Sequence, residues 1–162
     1  MIGCYTGLRF SDFSELHPEN ITHNGQILTH KTQKTAERVS MPVNRNVLAI
    51  LRKYEGIPPR TISNQKMNDY LKEICKRAGF TERVEVARTK GGMRQTRVLE
   101  KWELVTTHTA RRSFATNAFL AGVPPVSIMK ITGHKSESVF LKYIKVSSEQ
   151  NTLLLLSHTH FQ

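Results

Sequence analysis

The sequence has few cysteines, few acidic residues and no long apolar run. Its two cysteines, Cys4 and Cys75, show no metal-ligand spacing and do not make a disulfide framework. We interpret both as reduced core residues of a cytoplasmic protein. The longest apolar run extends only from Leu153 to Leu156, far short of the roughly 18 residues that span a bilayer. A membrane protein is therefore not expected, and no signal peptide is recognisable.

The shortage of acidic residues gives the chain a strong positive charge. Lys and Arg number 24 against 13 Asp and Glu, so that the net charge is +11 and the pI is near 10.0. Such a balance favours a polyanionic partner, either nucleic acid or an anionic membrane. The 162 residues are enough for one domain with a core of its own.

The apolar and glycine patterns predict an α+β fold, mostly helical with small antiparallel β-hairpins. A first helix is expected to end at Gly7, with Arg9 in a tight corner and Ser11 as a possible cap of the next short helix. The segment "GQILTHKTQKTAERVSMP" predicts two or three short strands, and "RVEVARTKGGMRQTRVL" predicts a basic hairpin around Gly91 and Gly92.

Helical spacing and glycine stops predict the remaining elements. Tyr5, Tyr54 and Tyr70 have apolar neighbours and are interpreted as core residues. Helices are predicted within "NRNVLAILRKYEG" and at Ser63 to Ala78, Thr107 to Ala121, Pro125 to Ile131, Ser136 to Ile144 and Ser147 to Leu156.

One stretch concentrates the reactive side chains: "TARRSFATNAFLAGVPPVSIMKITGHKSESVFLKYI", which directly follows His108. His108 and Arg111 are three apart and project from one helix face, whereas Arg112 points elsewhere. Taken alone, the pair is typical of a solvated basic face. Tyr143, at helical spacing from Phe140, is by itself more typical of a core.

Taken together, these residue types match the needs of phosphodiester transfer. That reaction uses a nucleophile, cations on the phosphate oxygens, a proton acceptor and an acid for the leaving oxygen. Arginine matches phosphate oxygens with its planar fork, and histidine exchanges protons near neutral pH. Lysine can protonate the leaving oxygen, and tyrosine can hold the phosphoryl group as an ester.

The segments "YTGLRFSDFSEL", "THKTQKTAERVSMPV", "HTARRSFATNAFLAGVPPVSIMKITGHKS" and "VFLKYI" resemble the tyrosine recombinase, or phage integrase, family, particularly integrases of Bacteroidetes-type mobile elements. The motifs extend from Tyr5 to Tyr143. The resemblance implies the fold of DNA breaking-rejoining enzymes. It also implies a site-specific recombinase that acts through a 3'-phosphotyrosyl intermediate, with neither ATP nor a metal as cofactor.

The resemblance also implies roles for individual residues. Arg9 and Arg111 match the two phosphate-clamping arginines, and His108 matches the proton acceptor or phosphate ligand. His134 matches the residue that hydrogen-bonds the phosphate, and Tyr143 matches the nucleophile.

The remaining site residues are assigned with alternatives. Lys34, eight residues before Pro42, matches the general acid of the β-hairpin, and Lys31 is the second candidate. Asp12 supports the site, or is only a helix cap or salt-bridge partner. Arg112 is structural or contacts the DNA backbone. The predicted DNA contacts are Lys31, Arg112 and Lys135, and five further histidines are interpreted as loop or tail residues that form no metal site: His17, His23, His30, His158 and His160.

We expect residues 1–162 to be a catalytic domain without the N-terminal core-binding domain of the family. Its partner is expected to be double-stranded DNA at attachment sites, bound as a homotetramer, with the isolated fragment possible as a monomer. The tail at residues 147–162 either docks on a neighbouring protomer or packs on its own domain. Two alternatives stay open: a catalytically inactive DNA-binding or regulatory remnant, and a type IB topoisomerase-like activity.

Overall fold

The computed structural model describes residues 1–56, 60–156 and 158–161. Positions 157 and 162 of the predicted C-terminal tail thus lie outside the described residues. The chain forms two compact units, the first made of residues 1–61 and 110–162 and the second of residues 62–109. The helices and short antiparallel sheets confirm the predicted α+β class.

The first unit opens with two short helices joined by a glycine corner. Helix α1 spans Ile2–Thr6 and α2 spans Phe10–Phe13. Gly7 between them has φ +64°, and a Cβ on it would lie 2.3 Å from Cδ1 of Phe114. Only glycine therefore fits this corner, on both conformational and steric grounds. The predicted cap Ser11 is wrong, since it lies inside α2 and the extended backbone of the N-cap position belongs to Arg9.

A three-stranded antiparallel sheet follows, in the order β1-β2-β3. Strands β1, β2 and β3 span Ile21–Thr22, Ile27–Lys31 and Arg38–Pro42, which confirms the predicted short strands. Lys31 pairs with Arg38, so that residues 32–37 form the turn between β2 and β3. Alternate side chains of these strands point into the core, as expected for a half-buried sheet: Leu28, His30, Val39 and Met41.

The other helices of the first unit agree with their predicted positions to within one or two residues. Glycines in the left-handed region follow two of them, Gly122 with φ +82° and Gly133 with φ +63°. The core of this part is a cluster of four buried residues, Ala115, Ile128, Phe140 and Ile144. The helices are α3 at Arg45–Lys53, α5 at Thr107–Leu120, α6 at Pro125–Thr132, α7 at Glu137–Tyr143 and α8 at Ser148–Leu156, of which α5 begins in the second unit.

The second unit consists of one helix and one long hairpin. Helix α4 spans Asn64–Arg77, and strands β4 and β5 span Arg83–Lys90 and Met93–Glu100. Gly91 and Gly92 form the two-residue turn with φ +60° and +79°, as the sequence predicts for a type I′ hairpin. A 3-10 turn at Lys101–Leu104 closes the unit, where Lys76 lies 4.9 Å from the centre of the Trp102 ring.

Several residues predicted as core lie at the surface instead. Tyr54 is 43% exposed because it follows the last turn of α3, and Tyr70 is 48% exposed on α4, whose small unit buries none of its described residues. Cys4 is exposed and Cys75 is half-buried, so neither is a core residue, and both are free thiols. Among the described residues, no helix combines the length and apolarity required to cross a bilayer.

Candidate active site

Arg111 on α5 is the buried centre of a cluster in the first unit. Its side chain is 3% exposed, and its Nη1 donates a hydrogen bond of 2.6 Å to the carbonyl oxygen of Gly7. Its Nη2 donates to the carbonyl oxygen of Thr132. Burial, and next the charge of Arg9, lower the pKa of the Arg111 guanidinium. Arg111 thus joins the ends of α1 and α6 to α5 and holds its own guanidinium in a defined position.

Tyr143 is the last residue of α7 and is half-buried among cations. Burial raises the pKa of its phenol, and the charges of Arg111, Arg112 and Arg9 act in the opposite direction. The guanidinium carbon of Arg112 lies 5.7 Å from the centre of the Tyr143 ring. Burial outweighs the three guanidinium charges, so the phenol keeps its proton more firmly than free tyrosine does, and the cations offset only part of that effect.

His134 lies beside the same phenol. It follows the left-handed Gly133 at the end of α6, and the two rings of His134 and Tyr143 are 4.6 Å apart between centres. Its Nδ1 is 2.7 Å from Oγ1 of Thr132. Because the Thr132 hydroxyl donates to the carbonyl oxygen of Ile128 at 2.7 Å, the imidazole Nδ1–H is the donor to Thr132. Thr132 therefore orients the His134 ring and selects its tautomer.

Asp12 on α2 connects the arginine cluster to the β2–β3 turn. It is fully buried, and its Oδ1 accepts a 2.9 Å hydrogen bond from the backbone N–H of Gln33. The same oxygen lies 3.7 Å from Nε2 of His30, and the charge of Asp12 acts to raise the pKa of Arg111. Of the roles left open for Asp12, a helix cap is wrong, because the residue lies inside α2 and its side chain caps none of the described helices, whereas its carboxylate does lie within ion-pairing distance of a buried imidazole.

His30 is the site residue that the sequence reading missed. Expected in a loop, it is buried on β2 against Asp12. The alternation of β2 gave a signal, since Leu28 and His30 are two apart and so share one face of the strand.

The two candidate lysines lie on the β2–β3 hairpin of the same unit. Lys31 ends β2 and Lys34 lies in the turn, and both side chains are exposed. Thr32 shapes the turn, because its N–H donates to the carbonyl oxygen of Glu37 at 2.9 Å. The Glu37 side chain in turn forms a 3.1 Å ion pair with Lys135. Within the described part of the chain, no hydrogen bond or ion pair joins Lys34 to the arginine cluster.

His108 is in the first turn of α5 and is exposed. It belongs to the second unit, where the N–H of the preceding residue, Thr107, donates to Oδ1 of Asn68 at 2.8 Å. Among the residues the structure describes, no three His, Cys, Asp or Glu side chains are grouped to hold a metal ion. The first unit thus brings together six predicted site residues: Arg9, Asp12, Arg111, Arg112, His134 and Tyr143.

The fold and this cluster define a domain of the integrase class. The model of the phage integrase family matches residues 1–150, and the chain belongs to that family of tyrosine recombinases. A search of curated proteins gave no significant match. The resemblance to integrases of Bacteroidetes elements stays a prediction.

Solved structures of recombinases share the fold. The XerA recombinase matches with a TM-score of 0.69 and 16% identity, over 98% of this chain and 56% of that one. The Tn1549 transposon integrase, in complex with a circular intermediate DNA, matches with a TM-score of 0.63 and 16% identity, over 95% and 55%. The XerH site-specific recombinase, bound to a palindromic difH substrate after cleavage, matches with a TM-score of 0.65 and 13% identity, over 96% and 43%. The chain thus spans about half the length of these recombinases.

Proposed function

We propose that this domain cleaves and rejoins DNA strands through a covalent bond to Tyr143, as the catalytic part of a site-specific recombinase. The observation that carries the proposal is the phenol of Tyr143 surrounded by Arg9, Arg111, Arg112 and His134. Membership of the integrase family supports it, as do the DNA complexes of the Tn1549 integrase and XerH.

In the proposed reaction, the Tyr143 oxygen attacks the phosphorus of a DNA phosphodiester. A bond forms between phosphorus and the phenolic oxygen, and the bond from phosphorus to the 5'-oxygen breaks. The phenolic proton passes to an acceptor, for which His108 is the candidate, and Lys34 supplies a proton to the leaving oxygen. A 5'-hydroxyl of a partner strand then reverses the step and releases Tyr143. The energy of the phosphodiester is kept in the protein–DNA bond throughout.

Arg9 and Arg111 are proposed to bind the non-bridging oxygens of the phosphate. An arginine has five N–H donors, and two groups of Arg111 bind the carbonyl oxygens of Gly7 and Thr132. Arg111 is therefore proposed to bind the phosphate through N–H donors that these two bonds do not use, while the side chain stays anchored. The charge of Arg9 repels that of Arg111 and so helps to lower the pKa of Arg111. A bound phosphate would relieve that repulsion.

His134 and the hairpin complete the proposed site. With Nδ1–H donating to Thr132, the second nitrogen of the His134 imidazolium can donate to a phosphate oxygen. Asp12 would act as a positioning residue, because its bond to the N–H of Gln33 holds the turn that carries Lys34. Lys31, Arg112 and Lys135 are proposed as further DNA contacts. Lys135 would contact DNA while it is also paired with Glu37.

The test is covalent trapping. The domain is incubated with a nicked duplex from an element junction, and the products are separated in denaturing detergent. We expect a stable protein–DNA band that is absent for Tyr143→Phe and retained for the control Tyr70→Phe, whose ring is 48% exposed in the second unit. DNA binding without such a band, also after addition of N-terminal domains, would indicate a DNA-binding remnant. Relaxation of supercoiled plasmid without strand exchange would indicate topoisomerase-like activity.

The C-terminal helix is proposed to dock on a second copy of the domain in a homotetramer on DNA. On α8, Leu153, Leu155 and Leu156 are 59%, 40% and 64% exposed, so that this patch does not pack fully on its own domain. Leu153→Ser with Leu156→Ser should lower the tetramer fraction on DNA, as measured by light scattering. An unchanged fraction would contradict docking through α8.

A further inference from the structure

The β4–β5 hairpin of the second unit has a basic tip, and the three arginines in it are exposed. Residues 88–97 contain Arg88, Lys90, Arg94 and Arg97 and no acidic residue. The acidic residues lie outside this tip: Glu85 is within β4, and Glu82 forms a 2.7 Å ion pair with Lys101 at the base of the hairpin. Among the described residues, no carboxylate is paired with any of the three arginines of the tip.

The strand register places two of these arginines on one face. Val86 pairs with Arg97 and Arg88 pairs with Gln95, so that alternate residues of both strands share a side of the ribbon. This face is concave and lined mainly by Val86, Arg88, Gln95, Arg97 and Leu99. The lining of this hollow thus combines two cations and an amide with the apolar side chains of Val86 and Leu99, and Thr89 completes it.

The shape of the ribbon suits a groove of nucleic acid. Strands of eight residues extend about 26 Å at roughly 3.3 Å per residue, and the two strands lie only about 5 Å apart. The turn of Gly91 and Gly92 adds no side chain to the tip. The major groove of B-form DNA is about 12 Å wide and admits a two-stranded ribbon. Arginine binds phosphates and guanine edges, and glutamine binds adenine edges.

We propose that the concave face of the β4–β5 hairpin is a second DNA-binding surface, carried by the second unit, which contacts the duplex through Arg88 and Arg97. The inference rests on the proposed function for the choice of DNA as partner. Charge complementarity supports this occupant over an apolar protein partner, because Arg88, Arg94 and Arg97 are exposed and residues 88–97 include no acidic residue.

The test compares two double variants of the whole chain that remove the same charge from the same unit. Arg88→Gln with Arg97→Gln alters the concave face, and Lys66→Gln with Arg77→Gln alters exposed positions of α4. Binding to a fluorescent duplex of about 30 base pairs is measured by anisotropy as a function of salt. The hairpin variant should bind roughly 10- to 100-fold more weakly at 0.1 M salt, with a log–log salt slope smaller by about 2. The α4 variant should stay within about threefold of the parent.

The conservative variant Arg88→Lys with Arg97→Lys separates charge from folding, because it keeps both cations. It should bind DNA within about tenfold of the parent, since lysine still neutralises a phosphate. The proposal would be overturned if the hairpin and α4 variants lost the same DNA affinity, or if the hairpin variant bound as tightly as the parent. It would also be overturned if the lysine variant bound DNA as weakly as the glutamine variant. Covalent trapping at saturating duplex tests the two proposals separately. If the covalent band depends on Tyr143 but the hairpin variant binds DNA as tightly as the parent, only the second DNA-binding surface is refuted.

Discussion

Replacing Arg111 by alanine should destabilise the fold before any effect on chemistry is considered. The change removes the donors to two buried carbonyl oxygens, those of Gly7 and Thr132. An unsatisfied buried polar group costs about 1–3 kcal/mol, which gives about 2–6 kcal/mol for the pair. Relief of the repulsion from Arg9 offsets part of that cost, so we expect a loss of about 3 kcal/mol in the free energy of unfolding. The melting temperature should fall by about 6–12 °C.

The assay is urea and thermal unfolding followed by circular dichroism, with Arg112→Ala as the matched control. Arg112 is adjacent and only partly buried, and its contact with the Tyr143 ring predicts a loss of about 1 kcal/mol or less. Arg111→Lys should be intermediate, because one ammonium replaces the fork that spans both carbonyl groups. If Arg111→Ala unfolds at the same urea concentration as Arg112→Ala, the tie between α1, α5 and α6 contributes nothing, and the reasoning fails.

Three further predictions concern the surroundings of this tie. Gly7→Ala should lower the free energy of unfolding by more than 2 kcal/mol, a larger loss than for Gly122→Ala. Both glycines have positive φ, but only at Gly7 would the new Cβ clash. Asp12→Ala should speed hydrogen exchange of the Gln33 amide about fivefold, in line with the loss of a hydrogen bond of about 1 kcal/mol. Asp12→Asn preserves an acceptor and should speed the exchange less, so equal exchange rates in the two variants would contradict this. The raised pKa of Tyr143 means that the unfolded chain loses this proton first, so the parent should lose stability relative to Tyr143→Phe as pH rises above about 10. Ultraviolet difference titration of the same pair should place the Tyr143 ionisation above that of free tyrosine, and an ordinary value would refute the burial argument.

Local signals in the sequence determined most of the secondary structure. The Gly91–Gly92 pair set the hairpin turn, since both residues must adopt positive φ in a type I′ turn. Gly133 ended α6 in the left-handed conformation. These features depend on a few neighbouring residues, and for that reason they could be predicted without knowledge of the packing.

Burial and charge environment depended instead on segments far apart in the chain. The carbonyl of Gly7 and the guanidinium of Arg111 are separated by 104 positions and meet only when α1 packs against α5. His30 was predicted in a loop, and its burial beside Asp12 was not predicted because Asp12 belongs to another element. Tyr70 repeats with helical spacing yet is exposed, since amphipathic periodicity does not state how much of a helix face its own small unit can cover.

The sequence by itself indicated the class of this protein, through the resemblance of its arginine, histidine and tyrosine motifs to the tyrosine recombinase family, and it determined the positions of nearly all its helices and strands. Only the tertiary structure decided that Arg111 is anchored by two carbonyl groups, that Asp12 accepts a hydrogen bond from the β2–β3 turn and that the charges of three arginines act on the Tyr143 phenol. The physical reason is that hydrogen bonds, desolvation and charge interactions act across distances of a few ångströms in space, whatever the distance along the chain.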